Sequence, residues 1–483
     1  MKKYQNALLG IILVISLLLS GTTPVMATTT DNEQIDWPKG PSVFAEAAIV
    51  MEASTGLVLY SKNMNDQHYP ASITKILTVL LALEHSSLGE VVTFSENAVY
   101  DVEADSSRIW VDVGEQMTMQ QCLYAILLDS ANDVSYGVAE HIAGSIENFA
   151  KMMNEKAKSL GCKNSNFVNP HGLPDKNHYT SAYDMALITR EAMKNETFAK
   201  IFGTRTYQLP PTNKQVETRY WNNHHKFILK DTYHYDDCIG GKTGFTNAAR
   251  YTLSSVAKRG DLELICIIMK DQVGGNQYID TQKLFDFGFD NYSIYPIADL
   301  EDTSALSESP LFTRYNSLLS KTKSPITTDD NGFLVLPNTA SFKDAQKEVI
   351  FFPSDTDAPN DELSSELDTK IIGKISYTYD GKYVGGADIL YNQEEIQPLI
   401  PVQNSDSPLP IVSQPGTIPE ETNIEEEGGS LRPIIIGVIV GLIVVTVGVY
   451  YVFIERPRLK RRNAYYKKRA LRKLYKDDDF INL

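Results

Sequence analysis

Cysteine is scarce. The chain has four in 483 residues, Cys122, Cys162, Cys238 and Cys266, without paired C-x-x-C spacing. That is too few for a dense disulfide framework and the wrong pattern for a metal site. Cys122 and Cys266 lie in apolar runs and read as buried thiols. Histidine is scarce too: there are eight, with no H-E-x-x-H, and His224-His225 reads as surface or packing. No metal and no cofactor is expected, and metalloprotease chemistry is set aside. Positive charge is also lacking, with a formal net charge of −16. Setting aside a basic C-terminal tail and Lys2 and Lys3 leaves about −25 on the body between them. Such a surface repels a phosphate backbone, so nucleic acid is excluded as a partner.

Long apolar runs occur at the two ends. The start, MKKYQNALLGIILVISLLLSGTTPVMA, has lysines, an apolar stretch and small residues at Val25 and Ala27. This is the pattern of an export signal over residues 1–27, cleaved after Ala27, and it places the mature protein outside the cytoplasm. The second run, Pro433 to Ile454, is uninterrupted by charge and has Tyr450, Tyr451 and Phe453 near one end. As a helix it would be about 33 Å long, enough for a transmembrane helix over 433–454. The tail, residues 455–483, carries eleven Lys or Arg against four acids. By the positive-inside rule the expected form is a single-pass protein of the cell membrane, its body extracellular and its C-terminus cytoplasmic.

Between these ends, residues 42–295 alternate strand and helix patterns. FAEAAIVMEASTGLVLYSKN has two apolar runs around Ser54-Thr55-Gly56, and ARYTLSSVAKRGDLELICIIMK has two around Arg259-Gly260-Asp261. The stretch between is largely helical in pattern. An α+β domain is expected, with an antiparallel sheet drawn from both ends of the domain and helices packed on it. Residues 296–400 change to short β-prone pieces, including KISYTYDGKYVGGADILY with an Asp380-Gly381 hairpin turn, and read as a small all-β spacer domain. Residues 401–432 are rich in Pro, Ser and Glu and read as a linker with a reach of about 30 Å.

Three short elements carry candidate chemistry. In PASITKILTVLLAL, Ser72 and Lys75 are three apart at the start of an apolar helix, so hydroxyl and amine share a face. Ile76, Leu77, Val79, Leu80, Leu81 and Leu83 bury that helix nearly all round. Burial disfavours a charged amine and can bring a lysine towards the range of a general base, which a serine nucleophile needs. The four-residue spacing alone is weak, since Ser255 to Lys258 and Ser320 to Lys323 match it without the buried helical setting. The second element is Ser130-Ala131-Asn132. Thr118 and Gln121 form a capping box that starts MQQCLYAILL, and Asp129 to Asp133 interrupts the helix before VSYGVAEHIAGS resumes. A hydroxyl and a carboxamide on such a break can face one cleft, although Ser-x-Asn recurs at Ser61 and Ser95. The third is CIGGKTGFT, where Lys242 and Thr243 offer a cation and a hydroxyl, and neighbouring glycines, Gly244 among them, admit a substrate backbone. A tight turn with a solvated lysine is the other way to read it.

Taken in order, Ser-x-x-Lys, Ser-x-Asn and Lys-Thr-Gly resemble the active-site set of penicillin-binding proteins and serine β-lactamases. IVMEASTGLVLYSKNMNDQHYPASITKILTVLLALE, VGEQMTMQQCLYAILLDSANDVSYGVAEHIAG and NFVNPHGLPDKNHYTSAYDMALITR extend the resemblance to the low-molecular-weight D-alanyl-D-alanine carboxypeptidases. That family implies a β-lactamase/transpeptidase-like domain, a following β domain and a C-terminal membrane anchor. It implies a peptidoglycan stem peptide ending D-Ala-D-Ala as substrate and β-lactams as inhibitors. Ser72 would be the nucleophile, Lys75 its base and Ser130 the proton relay. Asn132 would hold the substrate amide, Lys242 and Thr243 the terminal carboxylate, and the N–H groups of Ser72 and Phe245 the oxyanion.

The chain departs from the family in two places. Phe245 and Thr246 follow Lys-Thr-Gly, where relatives often carry a polar residue first, and KDQVGGNQYIDTQ after Met269 lacks an arginine that some carry. Two rivals are a β-lactamase, disfavoured because FVNPHGLPDKNHYTSAYD has no glutamate with a downstream Leu-Asn, and a penicillin-sensing membrane receptor, disfavoured by a tail of twenty-nine residues with no domain.

Overall fold

A computed structural model describes residues 37–301 except 104 and 231, then 326–352, 369–392 and the positions 460, 462, 463, 466 and 467. The expected signal over 1–27, the linker 401–432, the span 433–454 and most of the tail lie outside the described residues. No helix among the described residues is long and apolar enough to cross a membrane. All elements named below lie within one compact unit, Gly40–Leu483.

The first sheet is built as its two hairpin signals indicate. Strands β1 (Ala47–Glu52) and β2 (Val58–Lys62) come from one end of the domain. Strands β3 (Cys238–Thr246), β4 (Arg250–Arg259) and β5 (Leu262–Asp271) come from the other. Their order is β2-β1-β5-β4-β3, with every pair antiparallel. The register pairs Ala48 with Ile268 and Lys242 with Ser254. All six residues of β1 are buried, so both sheet faces are covered, which is why its sequence is a continuous apolar run rather than an alternating one. The helices Ala182–Met193 and Asn276–Asn291 both pack on β5. β3 is an edge strand, and this edge becomes one wall of the site.

The helical layer is centred on Lys75–His85, which contacts the helices Met119–Leu128, Asn132–Ala143, Ile146–Ser159 and Ala182–Met193. Its residues from Lys75 through Ala82 are buried, while Leu83 is only half-buried. Such a helix has no solvent face, so its position is set by packing rather than by propensity. The capping box at Thr118 forms: Gln121 N–H donates to Thr118 Oγ1 at 3.3 Å and Thr118 N–H to Gln121 Oε1 at 2.8 Å. The helix break is shorter than expected, because Asn132 already starts the next helix, which Gly144 ends in a left-handed conformation.

The second sheet begins at Tyr292. Its strands are β6 (Tyr292–Pro296), β7 (Ile326–Thr328), β8 (Phe333–Pro337), β9 (Gln346–Phe351), β10 (Thr369–Tyr379) and β11 (Lys382–Asn392). They run in the order β6-β8-β11-β10-β9, with β7 also on β11. Asp380 and Gly381, at φ 52° and 71°, make the two-residue turn between β10 and β11, as their sequence indicates.

Candidate active site

Ser72 and Lys75 are not on one α-helix. Ala71–Thr74 is a 3₁₀ turn and the α-helix starts at Lys75. In 3₁₀ geometry residues three apart eclipse each other, which brings the amine still closer to the hydroxyl. Lys75 Nζ lies 3.0 Å from Ser72 Oγ, 2.6 Å from Asn132 Oδ1 and 2.7 Å from the His171 carbonyl oxygen. Ala71 immediately before the serine is held at φ 51°, a costly conformation for a residue with a side chain.

Lys75 is fully buried, and its pKa falls well below the ordinary lysine value. Burial is the largest cause, the Lys242 charge adds to it and Asp133 opposes it. A neutral amine has two N–H donors and one lone pair. The Asn132 oxygen and the His171 carbonyl can only accept, so they take the two donors. The lone pair is then left facing the Ser72 hydroxyl.

Ser130 comes from the helix break, at φ 60°. It is 4% exposed, and its Oγ has no hydrogen-bond partner among the described residues. Asn132 is fixed at both ends: its N–H donates to the Ser107 carbonyl at 2.9 Å and its carboxamide oxygen holds Lys75. Lys242, read from sequence as either a substrate cation or a solvated turn residue, is on strand β3 and 1% exposed. Burial lowers its pKa to about 7, opposed by Asp129. Its amine donates to the Thr243 carbonyl at 3.2 Å. Gly244 lets the strand close on Ser72, since a Cβ there would stand 2.9 Å from the Ser72 nitrogen and 2.3 Å from Thr252 Oγ1. Ser72, Ser130, Asn132, Thr243, Gly244 and Phe245 all line one cleft of about 920 Å³, with Lys75 and Lys242 buried beside it.

A family model described as D-alanyl-D-alanine carboxypeptidase matches residues 33–273. The D-alanyl-D-alanine carboxypeptidase DacF of Bacillus subtilis is 37% identical over 266 residues, 54% of this chain and 66% of that protein. The D-alanyl-D-alanine carboxypeptidase DacB2 of Mycobacterium tuberculosis is 35% identical over 257 residues, 52% of this chain and 84% of that one. The chain belongs to the D-alanyl-D-alanine carboxypeptidase family. Its fold agrees: penicillin binding protein 5 from Haemophilus influenzae superposes with a TM-score of 0.55 at 25% identity, covering 74% of this chain and 98% of that one. Among these carboxypeptidases, the chain presents the α+β penicillin-binding fold and a serine-type site.

Sequence reasoning missed the residues that hold the candidate ones. The His171 carbonyl is the third partner of Lys75, and Gly172, at φ 86°, lies so near the 3₁₀ turn that a Cβ would stand 1.8 Å from the Ala71 oxygen. The signal was the Pro170-His171-Gly172 run, but a backbone carbonyl has no side-chain signature. Thr74 and His178 form a second support: Val168 N–H donates to His178 Nδ1 at 3.1 Å, so Nε2 carries the proton and donates to Thr74 Oγ1 at 3.0 Å. Burial holds His178 neutral, with its pKa pushed down to about 4. Of the adjacent histidines, His225 is fully buried, its Nε2 2.7 Å from Ser255 Oγ, whereas His224 is exposed and lines the cleft. Ser255 thus belongs to packing, and all four cysteines are free thiols.

Proposed function

We propose that this chain is a serine D-alanyl-D-alanine carboxypeptidase that removes the last D-alanine from peptidoglycan stem peptides ending in D-Ala-D-Ala, through an acyl-enzyme that β-lactams also form. The observation that carries the reading is the buried Lys75 amine, 3.0 Å from Ser72 Oγ and held by the Asn132 carboxamide oxygen at 2.6 Å and the His171 carbonyl at 2.7 Å. Ser72 Oγ attacks the carbonyl carbon of the penultimate D-alanine as its proton passes to Lys75. The carbon–nitrogen bond then breaks, and the leaving amine takes a proton relayed through Ser130. Water attacks the ester, the proton it loses returns to the serine oxygen, and the shortened peptide departs.

The remaining roles follow the cleft. Asn132 serves the substrate amide in addition to Lys75. Lys242 and Thr243 face the terminal carboxylate, and the backbone N–H groups of Ser72 and Phe245 form the oxyanion hole, each donor worth about 3 to 4 kcal/mol in comparable sites. Phe245 acts there through its backbone, so its side chain tunes preference rather than reaction type.

The rest of the chain completes the proposal. Residues 1–27 direct export, 42–295 form the catalytic domain, and 296–400 are a β spacer. The linker 401–432 joins the spacer to a transmembrane helix at 433–454, with the basic tail 455–483 in the cytoplasm. The charge-free apolar run and the Lys and Arg that follow it support this topology. The enzyme would then work on the outer face of the cell membrane.

Incubation of the protein with a synthetic peptide ending in D-Ala-D-Ala should release free D-alanine, and labelled penicillin should acylate it covalently at Ser72. Lys75→Ala should stay folded and take no label. Penicillin hydrolysis without D-alanine release would replace this reading with a β-lactamase, and normal labelling of Lys75→Ala would remove that lysine from the mechanism.

A further inference from the structure

One wall of the cleft is the loop of residues 101–108, from which Glu103, Asp105, Ser106 and Ser107 line it. Hydrogen bonds fix this loop through its backbone. The Glu103 carbonyl accepts from Ser106 N–H at 3.1 Å, from Ser106 Oγ at 2.7 Å and from Arg108 Nε at 3.1 Å. The Ser107 carbonyl accepts from Asn132 N–H at 2.9 Å, so the loop is tied directly to the residue whose carboxamide lies 2.6 Å from Lys75 Nζ. The carboxylates of Glu103 and Asp105 take no part in these bonds. Both residues are exposed, and neither has an ion partner among the described residues.

The cation of the loop points elsewhere. Arg108 is 3% exposed, donates from Nη1 to the Val99 carbonyl at 2.9 Å and sets its charge against the buried Asp133 carboxylate. The loop therefore shows the cleft two carboxylates without a neutralising group, on a chain whose net charge is already −16. Like charges so placed repel each other and gain when a cation arrives. A ligand on this wall is marked independently, since Ser130 Oγ is buried, has no hydrogen-bond partner among the described residues and lines the same cleft.

The direction of the substrate decides which cation. In a carboxypeptidase cleft the terminal carboxylate sits at Lys242 and Thr243 on the edge strand β3, the scissile carbonyl at Ser72 and the amide of the acyl part at Asn132. The peptide then continues past Asn132, where the 101–108 loop is attached. The residue before D-Ala-D-Ala has its Cα about 3.8 Å beyond that of the penultimate alanine. A four-carbon stem ending in an ammonium carries a positive charge outward from there. A cleft of about 920 Å³ has room for that residue as well as the last two.

We propose that Glu103 and Asp105 bind the side-chain ammonium of a diamino acid at the third position of the stem peptide, and so select substrates with a cationic residue before D-Ala-D-Ala. The inference rests on the carboxypeptidase reading and leaves the carboxylate end of the site to Lys242 and Thr243.

The test uses the full chain in detergent micelles and two peptides of equal length ending in D-Ala-D-Ala, preceded by lysine in one and by Nε-acetyl-lysine in the other. Wild type turns over the lysine peptide with a kcat/KM about fivefold higher, as exposed charge contacts supply, and the ratio shrinks as salt is raised. Glu103→Gln combined with Asp105→Asn brings the two rates together by lowering that of the lysine peptide alone, whereas Glu103→Asp combined with Asp105→Glu keeps them apart. A wild-type ratio below twofold overturns the proposal, and so does a ratio that survives loss of both charges. An equal fall on both peptides overturns it too, because it reduces the loop to a support for Asn132. If wild type releases no D-alanine from either peptide and takes no penicillin label, the carboxypeptidase reading fails instead.

Discussion

Asn132 holds the Lys75 amine more closely than Ser72 does, at 2.6 Å against 3.0 Å. The carboxamide oxygen is a neutral acceptor, so it orients the amine without stabilising its charged form as a carboxylate would. Asn132→Asp therefore makes a sharp test. It keeps the shape but places a negative charge beside Lys75, raising the lysine pKa and consuming the lone pair that faces Ser72. Penicillin acylation at pH 7 should fall by about 100-fold, within the range that general-base catalysis supplies. The acid limb of the acylation profile should move to higher pH, with recovery in alkaline buffer. An unshifted limb would show that Lys75 is not the group that titrates.

Lys242 gives a stability test with a definite sign. Its pKa is about 7 in the folded protein, against about 10.4 for an unperturbed lysine. Below pH 7 both folded and unfolded chains carry the proton, and the folded state bears the full cost of a buried cation. Between the two values the unfolded chain binds more protons, so stability climbs as pH rises, and above both values the cost is gone. Lys242→Met should thus raise Tm more at pH 6 than at pH 10. A gain that is equal at both pH values would mean that Lys242 keeps its ordinary pKa.

Gly172 allows a test of the turn beneath the nucleophile. Its φ of 86° suits glycine, and a Cβ would stand 1.8 Å from the Ala71 oxygen and 2.8 Å from Thr74 Oγ1. Gly172→Ala must push the Ser72 turn away, at a cost of at least about 2 kcal/mol. Gly144 has a similar φ of 75° but opens onto empty space. Gly144→Ala should cost only about 1 kcal/mol and leave penicillin labelling intact. Urea denaturation with labelling rates would compare the two, and equal labelling in both variants would sever Gly172 from the site.

The side chains that meet at the cleft were legible in the sequence because the proposed chemistry needs particular groups in a particular order. Ser72, Lys75, Ser130, Asn132 and Lys242 are such groups, and the apolar run around Lys75 announces its burial. The central strands were legible for a related reason, since AAIVME and LELICIIMKD are apolar runs bounded by turn residues. What could not be read was support made by backbone. The His171 carbonyl, the left-handed Ala71 and Ser130, and the N–H groups of Ile109, Trp110 and Val111 depend on conformation, which their side chains do not announce. Short strands such as Ile326–Thr328 escaped because three residues give too little alternation to read.

Asn132 is braced from a distance. The next residue, Asp133, is buried and its carboxylate accepts from the N–H groups of Ile109, Trp110 and Val111 at 3.3, 2.8 and 3.3 Å. That segment is gripped in turn by residues 212–219. Gln215 Nε2 donates to the Trp110 carbonyl at 2.9 Å, Asn213 Nδ2 to the Gly114 carbonyl at 2.9 Å, and Arg219 pairs with the fully buried Glu115. Trp110 sits at φ 62°, a conformation that its neighbours must impose. Arg219→Met would leave Glu115 buried without its ion pair and cost about 3 to 5 kcal/mol, so it tests folding rather than positioning. Gln215→Ala is the better variant, because it removes a neutral amide donor to the Trp110 carbonyl and to the Asp112 and Glu115 carboxylates, at 2.9, 3.5 and 3.3 Å, while Arg219 stays in place as the ion partner of Glu115. If the brace acts through Asp133 on Asn132, Gln215→Ala should lower acylation at pH 7 by about fivefold and shift its acid limb upward, because a looser Asn132 admits water to Lys75 and lifts its pKa. Tm should fall by only a few degrees. A loss of activity that tracks Tm alone, with the acid limb unmoved, would reduce residues 212–219 to a stabilising clamp with no bearing on the lysine.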